Sequence, residues 1–300
     1  MKTHGNAGWE DFPSYFDIFI PYVLDILDRL NYVITFFIVG QDAVLDKNKD
    51  ALKFLADRGH EVGNHSFNHE PWLQLYSKDR IKWEILETEE HIIRLIGKKP
   101  IGFRGPGFSW SSDLFEVLFK NGYLYDATTL PTYLGPMASA YYFHSPNLTT
   151  EEKNKRKEIL GFGEGMRPAK PYYWKLPSGG KLLEIPVTTI PIIKTPFHMS
   201  YLLFLGRFSV FIMLLYLKIA LTMCRLTRTE PSFVIHPTDL IGGDQVPDMK
   251  FFPGMDLTAD YKLYLFKRVI VELSKRYTLV NMRSHAESIL ERNNLDIKYP

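Results

Sequence analysis

Short apolar runs rich in β-branched and aromatic residues alternate with amphipathic stretches of helical period through the first half of this 300-residue chain. Strands that are separated by helices can pair in parallel, because each helix carries the chain back across the sheet. The alternation therefore predicts an α/β fold, for which a (β/α) barrel and an open parallel sheet are the two candidates.

The spacing of apolar residues predicts the individual elements, and Ser77 and Gly97 mark the two ends of the longest helix. The predicted strands are 32–39, 61–64, 101–103, 123–125, 182–188, 233–235 and 278–280. The predicted helices are 19–30, 43–58, 78–96, 112–120, 259–275 and a final helix after 280.

Composition narrows the class of protein. With 45% hydrophobic residues the chain can bury one large core, so we expect a single domain over residues 1–300. The net charge of +2 comes without a clustered basic stripe, which argues against a nucleic-acid partner. Cys224 is the one cysteine, so an intramolecular disulfide is excluded.

The first residues lack the apolar core of a signal peptide, and we expect a cytoplasmic or peripheral membrane location.

Two segments interrupt the strand–helix alternation. Residues 128–180 are rich in Pro, Tyr and charge, which predicts an insertion that serves as a lid or selects the substrate. An apolar helical segment at 199–224 contains Arg207 and Lys218, and these charges make it a poor transmembrane span. It is either one or two buried helices that cover the sheet, or an interfacial surface for peripheral membrane contact with a lipid-linked substrate.

His65 and His69 follow the predicted strand 61–64 and are four residues apart. At that spacing two imidazoles lie on one face of a helical turn, and neutral imidazoles suit zinc or a similar divalent ion. A satisfied chance pair is the alternative for an isolated His-x-x-x-His. The position just after a strand favours a site, because catalytic groups of parallel α/β proteins gather at the carboxyl ends of strands.

Two more polar residues follow predicted strands. Arg104 can hold a carboxylate ionised through a bidentate pair, although an ordinary Arg in a Gly/Pro turn would have the same sequence. His236 precedes Pro237 and can act as a general acid, with a satisfied core histidine as the alternative. Because His65, Arg104 and His236 each stand at a strand end, together they indicate one site.

Four segments resemble the polysaccharide deacetylase family, also called the NodB homology domain or carbohydrate esterase family 4. They are TFFIVG at 35–40, GHEVGNHSFNH at 59–69, FRGPG at 103–107 and IHP at 235–237. The resemblance covers most of the chain, but the insertion and the apolar segment lie outside the minimal domain of the family. It implies a distorted (β/α) barrel and metal-dependent hydrolysis of N-acyl groups, usually N-acetyl, on amino sugars.

The resemblance also implies roles for individual residues. His65 and His69 match the metal ligands, with zinc as the expected ion, and Arg104 matches the residue that orients the catalytic base. His236 matches the general acid. Backbone N–H groups near Gly107 and Phe108 would help to hold the oxyanion, so that residues Pro106, Gly107 and Phe108 contact the substrate.

The chain departs from the family at its first strand, which should end in an Asp-Asp or Asp-x-Asp motif that supplies the base and the third metal ligand. Glu10 and Asp11 fall near that spacing, but residues 5–9 make a poor strand because they include two glycines and an Asn. Three alternatives follow. A strand with its Asp pair precedes Met1, so that the barrel formed by residues 1–300 is incomplete at the N-terminus; or Asp11 serves; or the site is degenerate.

The expected activity is hydrolysis of N-acetyl groups from an amino-sugar polymer or glycoconjugate. One alternative is deacylation or deformylation of a lipid-linked amino sugar at a membrane, which the segment 201–221 suggests. The other is an inactive barrel that binds carbohydrate without hydrolysing it.

Overall fold

The computed structural model describes residues 15–135, 162–292 and 294–300. Glu10, Asp11 and residues 136–161 of the predicted insertion lie outside these residues. The described α-helices are α1 (Phe16–Leu30), α2 (Gly40–Val44), α3 (Lys49–Asp57), α4 (Lys78–Ile96), α5 (Ser112–Lys120), α6 (Met199–Phe208), α7 (Val210–Leu226), α8 (Ala259–Ser274) and α9 (Met282–Arg292). The described strands are β1 (Thr35–Ile38), β2 (Glu61–Asn64), β3 (Gly102–Phe103), β4 (Tyr125–Asp126), β5 (Tyr172–Lys175), β6 (Lys181–Glu184) and β7 (Ile297–Lys298).

Local signals placed several helix ends correctly. The Ser77 side chain accepts a hydrogen bond from the Arg80 N–H and begins α4, and Gly97 ends it in the left-handed conformation at φ 69°. The predicted helix 43–58 is wrong as one element, because Leu45 is extended at φ −73° and ψ 118° and separates α2 from α3. A single extended residue interrupts the helical hydrogen bonds, and the apolar spacing on both sides does not reveal it.

The strands form one sheet in the order β1-β2-β3-β4-β6-β5-β7. Strands β1 to β4 and β6 pair in parallel, whereas β5 pairs antiparallel with β6. This parallel arrangement confirms the predicted α/β class. Strand β5 falls inside the predicted insertion, so the end of that segment belongs to the sheet.

Two predicted strands are wrong as sheet elements. Residues 233–235 and 278–280 belong to no strand of the described structure. Residues 232–235 are held instead by single hydrogen bonds: the Met199 N–H donates to the Val234 carbonyl oxygen at 3.0 Å, and the Thr188 N–H donates to the Ser232 carbonyl oxygen at 3.2 Å. Apolar content predicted strands here, but a strand also needs a continuous ladder of backbone hydrogen bonds to a neighbouring strand.

The apolar segment at 199–224 forms two helices, α6 and α7, which pack against each other and against α8. Their inner faces join the main core, in which Leu202, Met213, Leu217 and Leu221 are fully buried. Their outer faces are exposed. The expectation of one or two buried helices is therefore met on the inner faces, whereas membrane contact through this segment stays a prediction.

Candidate active site

The carboxyl ends of the parallel strands lie in one row. The residues in register along it are Ile38, Asn64, Phe103, Asp126 and Glu184. The ladder continues one residue further, because the His65 N–H donates to the Ile38 carbonyl oxygen and the Arg104 N–H donates to that of Asn64, both at 3.0 Å. Strand register therefore places His65 beside Arg104, as the positions of both residues after strands had indicated.

His65 and His69 face each other with ring centroids 4.7 Å apart. The expected helical turn between them is wrong, since Ser66 and His69 have φ of 61° and 55° and the segment is a loop. Residues other than glycine rarely adopt this left-handed conformation, and such strain concentrates at functional sites. The loop brings the two rings together by backbone geometry that a spacing of four does not reveal.

Buried Glu84 on α4 holds this loop in place. Its Oε2 accepts hydrogen bonds from the N–H groups of Phe67 at 2.9 Å and Asn68 at 2.8 Å, and its Oε1 accepts one from the Asn68 side chain at 2.6 Å. One carboxylate thus satisfies three donors between the two histidines. The charge assists each of these hydrogen bonds, which offsets part of the backbone strain.

Replacing Glu84 with glutamine should weaken divalent-metal binding by about tenfold, the lower end of what loss of a supporting hydrogen bond costs a metal site. The amide would put an N–H₂ group where one carboxylate oxygen now accepts hydrogen bonds, so the loop would relax. Zinc titration by calorimetry measures the affinity. Glu87→Gln, an isosteric change on the same helix in a residue that pairs with His91, is the matched control. Equal affinity in Glu84→Gln and wild type would contradict the role of Glu84.

The protonation state of His65 suits a metal ligand. Its Nδ1 lies 2.6 Å from the carbonyl oxygen of Arg104, so Nδ1 carries the hydrogen and Nε2 keeps its lone pair. Burial, reinforced by the neighbouring His69 ring, lowers the pKa of His65 well below its usual value and keeps the ring neutral. A neutral imidazole whose second nitrogen donates to a carbonyl is the usual form of a ligating histidine.

The donor set fits a divalent metal ion in part. His65 and His69 can supply two nitrogen ligands, whereas zinc in catalytic sites takes three from the protein. Among residues 15–135, 162–292 and 294–300, no group of three His, Cys, Asp or Glu side chains lies close enough to hold an ion. The role of Asp11 as a third ligand stays a prediction.

Arg104 lies partly buried at the base of the site. Its Nε donates to the Ala127 carbonyl oxygen at 2.9 Å, and its guanidinium carbon lies 4.6 Å from the centre of the Phe37 ring. Burial lowers the pKa of Arg104 to about 10, although Asp126 and other nearby acidic groups counteract this effect. Arg104 therefore remains a cation at neutral pH, as a residue that holds a carboxylate must.

Two buried acidic residues support the turn after Arg104. Asp126 and Glu184 are cross-strand partners with no exposed surface, and burial raises the pKa of both carboxyls, with Asp126 raising that of Glu184 further. Thr128 links them to the site: its Oγ1 donates to Asp126 Oδ1 at 2.5 Å and accepts from the Gly105 N–H at 2.8 Å. Sequence reasoning assigned no role to this pair, because only the register reveals it.

The turn Pro106–Phe108 follows directly and is tightly built. Gly107 has φ 59°, and a Cβ atom at this position would lie 2.5 Å from the Cβ of Pro71, so only glycine fits. Phe108 also has positive φ, at 62°, and its N–H donates to the Gly105 carbonyl oxygen at 3.2 Å. Pro106 is buried, whereas Gly107 and Phe108 line the same cavity as His65. The oxyanion role of the two N–H groups stays a prediction.

His236 belongs to a polar network with Asp239 and Ser200. The Ser200 hydroxyl donates to Asp239 Oδ2 at 3.0 Å and lies 3.1 Å from His236 Nδ1. Because a hydroxyl has one proton to donate, Nδ1 of His236 carries a hydrogen and donates it to Ser200. Burial alone would raise the pKa of Asp239, but hydrogen bonds from His236 and Ser200 hold it below its usual value. An ionised carboxylate therefore stands behind His236.

His198 is a second imidazole next to His236, with ring centroids 5.7 Å apart. Burial lowers the pKa of His198 to about 3, so this ring is neutral and adds no positive charge beside His236. Sequence reasoning missed Ser200, His198 and Asp239. The Asp three residues after His236 was a usable signal, because an acid at that spacing can cap the turn at 237–239. Ser200 and His198 are distant in sequence and gave none.

One cavity of about 1340 Å³ joins these groups. The side chains of His65, His69, Arg104 and His236 all line it, as do Ser200 and His198. The structure therefore brings together the four residues that the sequence had separately indicated. The two histidines of the loop 65–69 thus stand at one wall of the cavity and His236 at another, so a metal-binding and a proton-donating role could be divided between the two walls.

Comparison with known proteins finds one family model that matches part of this chain and several relatives of similar sequence. The family model for polysaccharide deacetylase matches residues 9–125. The chain is 30% identical over 129 residues to a peptidoglycan deacetylase of Helicobacter pylori, covering 41% of this chain and 43% of that one. It is 38% identical over 88 residues to a peptidoglycan-N-acetylglucosamine deacetylase of Bacillus cereus, covering 29% of this chain and 31% of that one. The matches thus span less than half the length of either relative.

A crystal structure from Mycobacterium smegmatis, provisionally named a polysaccharide deacetylase, shares the fold with a TM-score of 0.57 and 18% identity. The match covers 93% of this chain and 79% of that one. At this identity the similarity concerns the fold alone, and it extends the fold well beyond residue 125.

Proposed function

Residues 9–125 of this chain belong to the polysaccharide deacetylase family, and on that premise we propose that the protein hydrolyses N-acetyl groups of an amino-sugar polymer. The observation that carries the proposal is the single cavity lined by His65, His69, Arg104 and His236. In the reaction, water adds to the acyl carbon, the carbon–nitrogen bond breaks, the acyl group leaves as a carboxylate and the amine takes a proton. The peptidoglycan deacetylases of similar sequence suggest a cell-wall glycan as the substrate.

His65 and His69 would hold a divalent ion, with zinc as the first candidate. A bound ion of this kind polarises an acyl oxygen and lowers the pKa of water. The chain's own contribution is to present two imidazoles with a loop that Glu84 keeps in one conformation. The partly buried, cationic Arg104 would orient a carboxylate base and keep it ionised.

His236 would give the proton to the leaving amine. With Nδ1 donating to Ser200, the ring presents Nε2 as its second nitrogen, and the side chain is 44% exposed, so substrate can reach it. Asp239 would stabilise the imidazolium through Ser200, in the way that a buried carboxylate supports a catalytic histidine elsewhere.

Replacing Ser200 with alanine should lower kcat by about tenfold, which corresponds to the loss of one hydrogen bond to a charged group. KM and metal content should not change, because the hydroxyl contacts neither metal ligand. Steady-state kinetics and metal analysis measure these quantities. Ser200→Thr keeps the hydroxyl and should restore most of the rate. An unchanged kcat in Ser200→Ala would show that Asp239 acts on His236 without it.

The direct test is acetate release from chitin oligosaccharides and from peptidoglycan by the zinc-loaded protein, with and without a chelator. We expect release that the chelator abolishes and zinc restores. Saccharide binding without acetate release would select the inactive, carbohydrate-binding alternative. Asp11→Asn then separates the candidates for the base, because it should abolish release if Asp11 serves and leave it unchanged if another carboxylate does.

A lipid-linked amino sugar is the second candidate substrate. The observation in its favour is the apolar end of the cavity, where Leu203 and Phe204 of α6 contribute to the lining. A water-soluble oligosaccharide and a polyprenyl-phosphate-linked N-acyl amino sugar, compared at equal concentration, distinguish the two candidates. A higher kcat/KM for the lipid-linked compound would favour the second.

A further inference from the structure

Helices α6 and α7 present a continuous row of large apolar side chains to solvent. We call this the α6–α7 apolar surface; its members and their exposed fractions are Phe204 52%, Phe208 71%, Phe211 74%, Ile212 52%, Leu215 47%, Ile219 48% and Leu226 74%. The spacing of four between Phe204 and Phe208, and between Phe211, Leu215 and Ile219, aligns these residues on the outer face of each helix. Contiguous exposed apolar surface of this kind marks an interaction site.

The opposite faces of both helices pack in the core. Met213, Leu217, Ala220 and Leu221 of α7 are fully buried. A small rotation of the helices cannot hide the outer row without exposing these residues. The outer apolar residues keep about half or more of their surface exposed in the described fold, which leaves that surface available to a partner.

The charge of the same segment indicates what that partner is. Between residues 199 and 229 the sequence has no Asp or Glu, but it contains Arg207, Lys218, Arg225 and Arg228. All four are exposed, and only Arg207 has an ion-pair partner in the described structure, Asp256. Apolar side chains flanked by Lys and Arg on one helical face are typical of segments that lie in the interface of an anionic membrane.

Neither helix is suited to cross a bilayer. Helix α7 has 17 residues, and no helix within the described residues is long and apolar enough to span a membrane. A surface that inserts its aromatic side chains among lipid headgroups, with the helix axes in the plane of the membrane, agrees with these lengths.

The α6–α7 apolar surface is continuous with the candidate active site. Phe204 belongs both to this surface and to the cavity lining, and Tyr201 and Arg207 on the same helix also line the cavity. Ser200, one turn earlier, contacts His236. A membrane that covers the outer face of α6 would therefore lie beside the mouth of the cavity.

We propose that the α6–α7 apolar surface docks the protein on a membrane that contains anionic phospholipid. The docking goes beyond the proposed hydrolysis and does not depend on it. Its consequence rests on the proposed function: the enzyme would act on amino sugars held at or near the lipid surface.

The test is sedimentation of the full chain with vesicles of phosphatidylcholine, with and without phosphatidylglycerol, in the absence of any sugar. We expect binding to the anionic vesicles that falls as salt is added. The double variant Phe208→Ser/Phe211→Ser should reduce this binding by at least about tenfold, given the apolar area of two phenylalanines. Neither residue lines the cavity, so acetate release from a soluble oligosaccharide should be unchanged.

Met166→Ser/Tyr299→Ser is the matched control, because these side chains are 79% and 75% exposed and lie on neither helix. It should bind vesicles as wild type does.

Equal binding of wild type and Phe208→Ser/Phe211→Ser, or equal binding to both kinds of vesicle, would overturn the proposal. A dimer in lipid-free solution that Phe208→Ser/Phe211→Ser converts to a monomer would overturn it too, and would assign the surface to a second copy of the chain. Vesicle binding with no acetate release would count against the proposed hydrolysis alone.

Discussion

Replacing His65 with alanine should abolish stoichiometric binding of a divalent metal ion. The described structure places two candidate nitrogen ligands together, and His65 is the one whose partly buried, neutral ring is oriented by the Arg104 carbonyl group. Loss of a supporting hydrogen bond already costs metal sites about 10–100-fold in affinity, so loss of the ligand itself should cost more than about 100-fold. Metal analysis after dialysis against trace zinc, together with zinc titration, measures the effect.

His285→Ala is the control for this variant, since it removes an imidazole that pairs with Glu230 rather than with either predicted ligand. It should retain the metal of the wild type. Thermal unfolding of the metal-free proteins separates loss of the site from loss of the fold. Equal metal content in His65→Ala and wild type would remove the basis of the site assignment.

Replacing His236 with glutamine should leave the metal in place and lower kcat by about 10²–10⁴-fold, the usual contribution of a positioned general acid or base. Glutamine keeps a polar side chain and the backbone N–H that donates to Asp239 at 2.8 Å, so the turn should persist. It cannot deliver a proton from an ionisable ring. Acetate release and metal content, measured on the same preparation, give the two quantities.

The pair of variants separates two roles within one cavity. Metal loss in His65→Ala with metal retention in His236→Gln is the expected pattern. If His236→Gln also lost its metal, His236 would belong to the metal-binding wall and the proton donor would have to be sought elsewhere. If His236→Gln kept full activity, the leaving amine would take its proton from another source.

The sequence predicted the bounds of several elements because their apolar spacing and their capping residues are strong local signals. Strand β2 and helices α4 and α5 have the bounds that apolar period and capping residues predict. The segments 233–235 and 278–280 were misassigned because apolar content does not reveal whether a neighbouring strand is in register. The break between α2 and α3 was missed because one extended residue, Leu45, leaves the apolar period almost intact.

Three of the site residues that were predicted from sequence, His65, Arg104 and His236, share one property: each stands directly after a predicted strand, and the chemistry of its side chain is unusual for a turn. That signal is local, so it can be recognised from the sequence alone. His65 and Arg104 were predicted to meet because parallel strands end at one edge, and the row of register pairs from Ile38 to Glu184 provides the meeting point.

The sequence by itself determined the alternation of strands and helices, the identity of the polar residues at strand ends and the apolar, acid-free character of residues 199–229. These depend on side-chain chemistry and spacing along the chain. Tertiary structure alone decided that Ser200 on α6 would stand between His236 and Asp239, that Glu84 would hold the loop between two histidines, and that one face of α6 and α7 would remain exposed. Such contacts join residues far apart in sequence, and they depend on how helices pack rather than on any local preference.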